Sequence, residues 1–312
     1  MAYLGFDTSN YTTSAALYYP EENRIVHRKK LLPVKEGERG LRQSDAVFHH
    51  TNQLHEITRE LFENEKAVID GIGASAFPRM AEGSYMPCFL VGLNTAKVLS
   101  CVLNKSVNIT SHQNGHIVAA LYSAGRLDLL KEKFLAFHVS GGTTEALLVE
   151  PCEEEIIKCT LVASSLDLKA GQAIDRAGVM MGLKFPSGAE MDKLAQKSER
   201  TFKKIKVYSK GADVSLSGLE NKCRKMLSEN ESKEDISMFC FQYILSAVDT
   251  MTEKLLAEYG DLPLLYSGGV MSNSVIKEKL IEKYNGIFAI PEFSADNAAG
   301  VAILTYLKEN KK

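Results

Sequence analysis

The six cysteines of this chain, Cys88, Cys101, Cys152, Cys159, Cys223 and Cys240, include no Cys-X-X-Cys pair. Nothing resembling a secretory signal precedes Tyr3, so a reducing, cytoplasmic setting with buried thiols is expected rather than a disulfide framework. No apolar run is long enough for a membrane span of roughly 20 residues. The most apolar stretch, Met86 to Leu103, is broken by Asn94, Thr95 and Lys97 and reads as a buried helix. Charge of one sign is also missing: the net charge is -2, which gives no global attraction to nucleic acid. Any RNA would have to be held by a local basic patch or by a partner.

A chain of 312 residues with 45% hydrophobic content is long enough for about two domains with their own cores. Two segments share one plan, YLGFDTSNYTTSAALYYP from Tyr3 and FLAFHVSGGTTEALLVEP from Phe134. Each is an apolar strand, a turn of small hydroxylated or Gly residues, and a second apolar strand, an arrangement that brings backbone close to a phosphate. In the first half a third strand is expected around Val26, a loop over Val34 to Asp45 and a helix over His50 to Phe62. A strand from Ile69, the apolar helix ending at Leu103, a short strand near Val107 and a helix from His112 then follow. In the second half, strands are expected near Phe137, Leu147 and Ile157, with helices over Ala170 to Gly182 and Ala189 to Gln196. Ile236 to Tyr259 carries a helical core stripe. Strand LPLLYSGG, helix Ser274 to Tyr284, strand IFAI and a helix from Ala295 close the chain, and 202–215 and 228–235 read as solvated connections. The expected division is an N-terminal lobe over 1–125, a C-terminal lobe over 126–295 and a closing helix over 296–312.

Between the two copies lie His112 and His116 in SHQNGH. At i and i+4 on a helix, two imidazoles reach one ion. The seven histidines of the chain would place about 0.15 such pairs by chance, so the spacing is suggestive, and a third ligand decides between a metal site and a helix face that merely carries two histidines. A protease of the HExxH type needs Glu beside the first His, where this chain has Gln113, which cannot accept a proton. Asp296, in FSADNAAG at a helix start, is placed either to be a metal ligand or to cap its helix. HVSGGTTE and YSGGVMSN each end an apolar strand in Ser-Gly-Gly and expose backbone N–H groups. Together with Asp7 in FDTSNYTT they favour a nucleotide in a cleft between lobes. Asp175 in GQAIDRAGVMMG is suited to a ribose, and Gly188 opens a further helix beside Ser187; two ordinary capped helices are the alternative.

Taken in order, FDTSNYTTSAAL, SHQNGHIVAAL, VSGGTTEALLV, GQAIDRAGVMMGLKFPSGAEMDKLA, SLSGLENK, SGGVMSN and SADNAAGVA resemble the TsaD family of tRNA N6-adenosine threonylcarbamoyltransferases, from about residue 3 to residue 305. The resemblance implies an α/β, two-lobed, duplicated actin/hexokinase/Hsp70-like (ASKHA) fold with a nucleotide cleft between the lobes. It implies a metal, iron or zinc, on His112, His116 and Asp296. It also implies contacts to an acyl-adenylate, ATP or AMP from His138, Val139, Ser140, Gly141, Gly142, Asp175, Gly188 and Asn273. The implied reaction moves a threonylcarbamoyl group from threonylcarbamoyl-AMP to N6 of adenosine 37 of tRNA. The implied partners are tRNA, the synthase that makes threonylcarbamoyl-AMP, a smaller paralogous subunit and an ATPase subunit, and no membrane.

Four departures from the family pattern lie near the expected ligands. Thr143 follows Ser-Gly-Gly where His is usual, Gln172 replaces Glu, Ser187 replaces the first Gly of a Gly-Gly pair, and the segment 77–89 (FPRMAEGSYMPCF) replaces Gly-Pro-Gly-Leu. They keep two further functions in view: a carbamoyltransferase paralogue acting on a small molecule, and a non-catalytic nucleotide-binding subunit that pairs with a true transferase.

Overall fold

β1 (Ala2–Ser9) is buried along its whole length because both of its faces are covered. The computed structural model describes residues 1–9, 11–33, 41–202, 205–293 and 298–311. β1 pairs antiparallel with β2 (Thr12–Tyr19), which pairs antiparallel with β3 (Arg24–Leu31). On its other side β1 runs parallel to β4 (Ile69–Phe77), and β4 runs parallel to β5 (Val107–Ser111), giving the order β3-β2-β1-β4-β5. Side chains alternate across this sheet. Ala2, Leu4 and Phe6 join Leu54, Ile57 and Leu61 of α1 (Gln43–Phe62) and Leu93 and Ala96 of α2 (Phe89–Leu103) in one core. On the opposite face Gly5 lies against the helix that ends the chain.

The second sheet repeats that plan. β6 (Phe134–Val139) pairs antiparallel with β7 (Thr144–Cys152), whose outer neighbour is β8 (Ile156–Ser164). α3 (His112–Ser123) precedes β6, and after β8 come α4 (Ala170–Met180), α5 (Gly188–Ala195), α6 (Ser217–Ser228) and α7 (Lys233–Tyr259), with a hairpin of β9 (Ser209–Lys210) and β10 (Asp213–Val214) between α5 and α6. β11 (Leu264–Ser267) is parallel to β6, and after α8 (Ser274–Tyr284) comes β12 (Ile287–Phe288), parallel to β11. The order β12-β11-β6-β7-β8 is the first sheet's order written in the second half's strands. The last helix is α9 (Ala298–Glu309).

The chain divides into two compact units, one of residues 1–132, 150–159 and 292–312 and one of 133–149 and 160–291. In the first, α1 packs on β2 and β3, α2 on β4 and β1, and α9 on β1, β2, β4 and α3. In the second, the stripe Ile236, Tyr243, Ile244, Ala247, Met251 and Leu255 of α7 is buried as its spacing predicts. No described helix is long and apolar enough to cross a membrane.

Four local expectations are corrected. The helix expected from His50 begins at Gln43; in its first turns only Ala46 is buried while the apolar Phe48 is exposed, so apolar spacing does not mark the start of the stripe. Residues 34–40 of the expected loop lie outside the described residues. The apolar helix α2 buries only Phe89, Gly92, Leu93 and Ala96, and leaves Val98 and Val102 64% and 76% exposed. The segment 202–215 is not simply a solvated connection: it forms the β9–β10 hairpin, and Val214 is fully buried. Finally, Cys101 on α2 is exposed, while Cys88, Cys223 and Cys240 are buried as expected.

Candidate functional site

Two polar clusters stand out, one in each unit. In the first unit, Asp7 points from β1 to the same face as Gly5 and is 1% exposed. Its Oδ1 accepts a hydrogen bond from the Ser9 amide at 2.9 Å, and its Oδ2 accepts one from Ser75 Oγ of β4 at 2.5 Å. The same Oδ2 lies 2.9 Å from His112 Nδ1. Burial opposes ionisation of this carboxyl, but the neighbouring His112 and the hydrogen bonds from Ser75 and Ser9 outweigh it and hold Asp7 well below the usual carboxylate range.

His112 is the first residue of α3, whose N-terminus is capped by Ser111: its Oγ accepts from the Asn114 amide at 3.1 Å. One helical turn on, His116 brings its ring centroid to 4.5 Å from that of His112, and Phe89 lies edge-on to His112 at 5.9 Å. The helix is fixed further by Asn114, whose Nδ2 donates to the Ile157 carbonyl at 3.1 Å, and by the Gln113 amide, which donates to Pro78 at 3.0 Å. Between the two histidines, Gly115 touches Gly300 of α9, where a β-carbon would stand 1.9 Å from the Gly115 carbonyl oxygen. A carboxylate that holds one imidazole nitrogen while the other faces away is the usual support of a metal-binding histidine. Asp296, the expected third ligand, lies outside the described residues. Among the described residues no group of three or more His, Cys, Asp or Glu is arranged to hold a metal.

In the second unit, a cavity of about 590 Å³ opens beside the loop after β6 and the starts of α4, α5 and α8. Gly141, Asp175, Gly188 and Asn273 line it, four of the residues singled out from sequence. The loop is held by Gly171, whose amide donates to the Ser140 carbonyl at 3.1 Å, and by Thr144 Oγ1, which accepts from the Ala170 amide at 2.8 Å. At Gly141, Gly142 and Gly269 a β-carbon would meet nothing within 4 Å, so the glycine backbones face open space. Gly268 has φ +97° and Val139 backbone where a side chain would go, which fixes glycine at the end of β11. Asp175 Oδ1 accepts from the Ser187 amide at 2.7 Å. Asn273 caps α8, accepting from the Ile276 amide at 3.1 Å, and its Nδ2 donates to Asp192 Oδ1 at 2.5 Å. Carboxylates at one side, an apolar wall of Ile174, Phe185 and Val270 and open glycine backbone suit ribose, base and phosphate respectively.

The remaining expected residues sit nearby in different roles. His138 Nδ1 lies 3.2 Å from Ser267 Oγ, Val139 is buried, and Ser140 Oγ accepts from the Thr143 amide at 3.2 Å. Asp7, expected beside a nucleotide, is found in contact with His112. Gln172 serves the start of α4, its Oε1 accepting from the Lys169 amide at 3.4 Å. Ser187 is fully buried against Gly178, with Oγ donating to the Lys184 carbonyl at 3.1 Å. Sequence reasoning missed Ser75 and Asp192, which are joined to Asp7 and Asn273 across 68 and 81 residues of chain. No local pattern marks a pairing at that separation.

Comparison with known proteins bears on the family and the fold. The family model described as TsaD, tRNA N6-adenosine threonylcarbamoyltransferase, matches residues 27–303. A protein named tRNA N6-adenosine threonylcarbamoyltransferase from Thermosipho africanus (strain TCF52B) is 29% identical over 98% of this chain and 94% of its own. One of the same name from Archaeoglobus fulgidus is 28% identical over 97% and 90%. Among solved structures, component A of the (R)-2-hydroxyglutaryl-CoA dehydratase of Acidaminococcus fermentans superposes with a TM-score of 0.59 at 17% identity, each chain covered in full. Full-length HypF gives 0.63 at 12% identity, over 99% of this chain and 56% of that one. A ROK-family glucokinase from Streptomyces griseus gives 0.53 at 10%, over the whole of both chains. These likenesses show the actin/hexokinase-like fold. With a family model matched across most of its length, the chain belongs to the TsaD family of tRNA N6-adenosine threonylcarbamoyltransferases.

Proposed function

We propose that this protein transfers the threonylcarbamoyl group of threonylcarbamoyl-AMP to N6 of adenosine 37 in tRNA. The observation that carries the reading is the cavity beside Asp175 and Asn273, which has the shape and polarity for an adenylate in a chain of this family. In the reaction, the N6 lone pair attacks the carbamoyl carbon, the bond from that carbon to the phosphate oxygen breaks, AMP leaves with its electron pair, and N6 loses a proton. Asp175 and Asn273 hold the nucleoside, and the open backbone at Gly141 and Gly142 receives the phosphate.

His112 and His116 suit a divalent transition metal such as iron or zinc, since the rings share one helix face and Asp7 orients the first of them, and Asp296 is the third ligand this reading assigns. Such an ion, when bound, withdraws charge from an anhydride oxygen, worth several kcal/mol in the transition state. The partners of this reading are tRNA, the synthase supplying threonylcarbamoyl-AMP, a smaller paralogous subunit and an ATPase subunit, in the cytoplasm. The test is mass spectrometry of nucleosides from tRNA of a strain lacking the gene and any second family member. Loss of N6-threonylcarbamoyladenosine, restored by the wild-type chain and not by Asp175→Ala, is expected; an unchanged level refutes the assignment.

A further inference from the structure

Residues 193–225 contain ten Lys or Arg and three Asp or Glu, +7 in a chain whose total is -2. Four of those ten cations line one groove of the second unit, a cavity of about 650 Å³ between the segment after α5 and the helices α6 and α7. Its cationic lining is Arg200, Lys206, Lys222 and Lys225, and its floor is aromatic. Phe202 and Phe239 meet edge to face at 5.1 Å, with the Arg200 guanidinium 4.6 Å over the Phe202 ring and Lys222 Nζ 4.8 Å over that of Tyr243. The wall is fixed: the Phe202 amide donates to Gln242 Oε1 at 2.9 Å and Ser246 Oγ donates to the Ile205 carbonyl at 2.7 Å. Two of the cations are partly neutralised within the groove, Arg200 by Glu231 and Lys225 by Glu229. Lys206 and Lys222 are exposed and have no ion-pair partner among the described residues.

The groove shares no lining residue with the cavity beside Asp175, and so belongs to something other than the adenylate. We propose that it binds the sugar-phosphate backbone of the tRNA, with Lys206 and Lys222 as phosphate contacts and the rings of Phe202 and Tyr243 positioning the cations stacked on them. This rests on the proposed tRNA reaction. Cations interleaved with aromatic faces are the chemistry of nucleic-acid tracks. Because the rest of the chain carries a net -9, the remaining surface repels a polyanion and one basic groove sets its orientation.

The experiment measures tRNA affinity by fluorescence anisotropy from about 50 to 200 mM salt for the wild type, Lys206→Glu/Lys222→Glu and Lys206→Arg/Lys222→Arg. The Glu pair is expected to weaken binding roughly tenfold or more and to lower the slope of log affinity against log salt by about 0.7–0.9 per lost contact. The Arg pair keeps both, and AMP affinity and Tm stay at wild-type values in all three. Wild-type affinity and slope in the Glu pair overturn the groove assignment and leave the function standing. Lost turnover with unchanged tRNA affinity also overturns it, in favour of an acidic protein partner. A wild type that neither binds nor modifies tRNA removes the function reading and this one with it.

Discussion

Replacing Gly300 by Ala tests how the histidine helix is held. The new β-carbon would lie 1.9 Å from the Gly115 carbonyl oxygen, 2.7 Å from its carbon and 2.9 Å from its Cα. An unstrained carbon–oxygen contact needs about 3.2 Å, so α3 and α9 must separate by roughly 1.3 Å at this point. α9 cannot retreat, because its other side meets β1 at Gly5, where a β-carbon would stand 2.4 Å from Ala298 O and 2.6 Å from Ala302 N. The displacement therefore falls on α3 and on the histidines flanking Gly115. Overpacking costs about 1–3 kcal/mol, and backbone on both sides places this case near 3 kcal/mol. For a chain of this size that lowers Tm by roughly 4–5 °C, read by calorimetry. Gly71→Ala is the control, since its β-carbon meets only the tip of the Glu309 side chain, which can swing away. A Gly300→Ala protein melting within about one degree of the wild type would refute the close packing of α3 on α9.

Further outcomes follow from particular side chains. His50 is fully buried, with Nδ1 2.8 Å from Thr13 Oγ1, and burial lowers its pKa from 6.5 to about 4, Asp7 opposing the shift and His49 adding to it. The unfolded chain takes up this proton near 6.5 and the folded one only near 4, so stability is complete above the first value and falls by about 3 kcal/mol as pH drops through the window. Denaturant midpoints should show that loss in the wild type and not in His50→Gln; equal losses in both would remove His50 as the cause. Asp175→Asn should weaken AMP binding by about ten- to a hundredfold in calorimetric titration, the worth of a hydrogen bond to a charged group, and unchanged affinity would move the nucleoside elsewhere. A thiol reagent on the native protein should modify Cys101 first, with Cys159 slowest among the partly exposed thiols, because burial raises its pKa to about 12. Peptide mapping with Cys159 labelled ahead of Cys101 would contradict the burial described.

The sequence by itself determined the duplicated strand plan, the α7 core stripe, the i,i+4 histidines and the glycine loops after β6 and β11, because period-2 and period-3.6 patterns and glycine turns are local properties of the chain. Only the tertiary structure decided what Asp7 touches: a strand's alternation places its carboxylate on one face, but Ser75 and His112 reach it through β4 and α3, far along the chain. The same holds for Asn273 and Asp192. The outer face of α2 read as core because apolar composition does not state which side of a helix is covered. The basic groove was not legible, and 202–215 read only as a solvated connection, because Arg200 and Lys206 meet Lys222 and Lys225 only after α6 folds back beside the segment that follows α5. Periodicity is written residue by residue, whereas convergence of side chains depends on how whole elements pack.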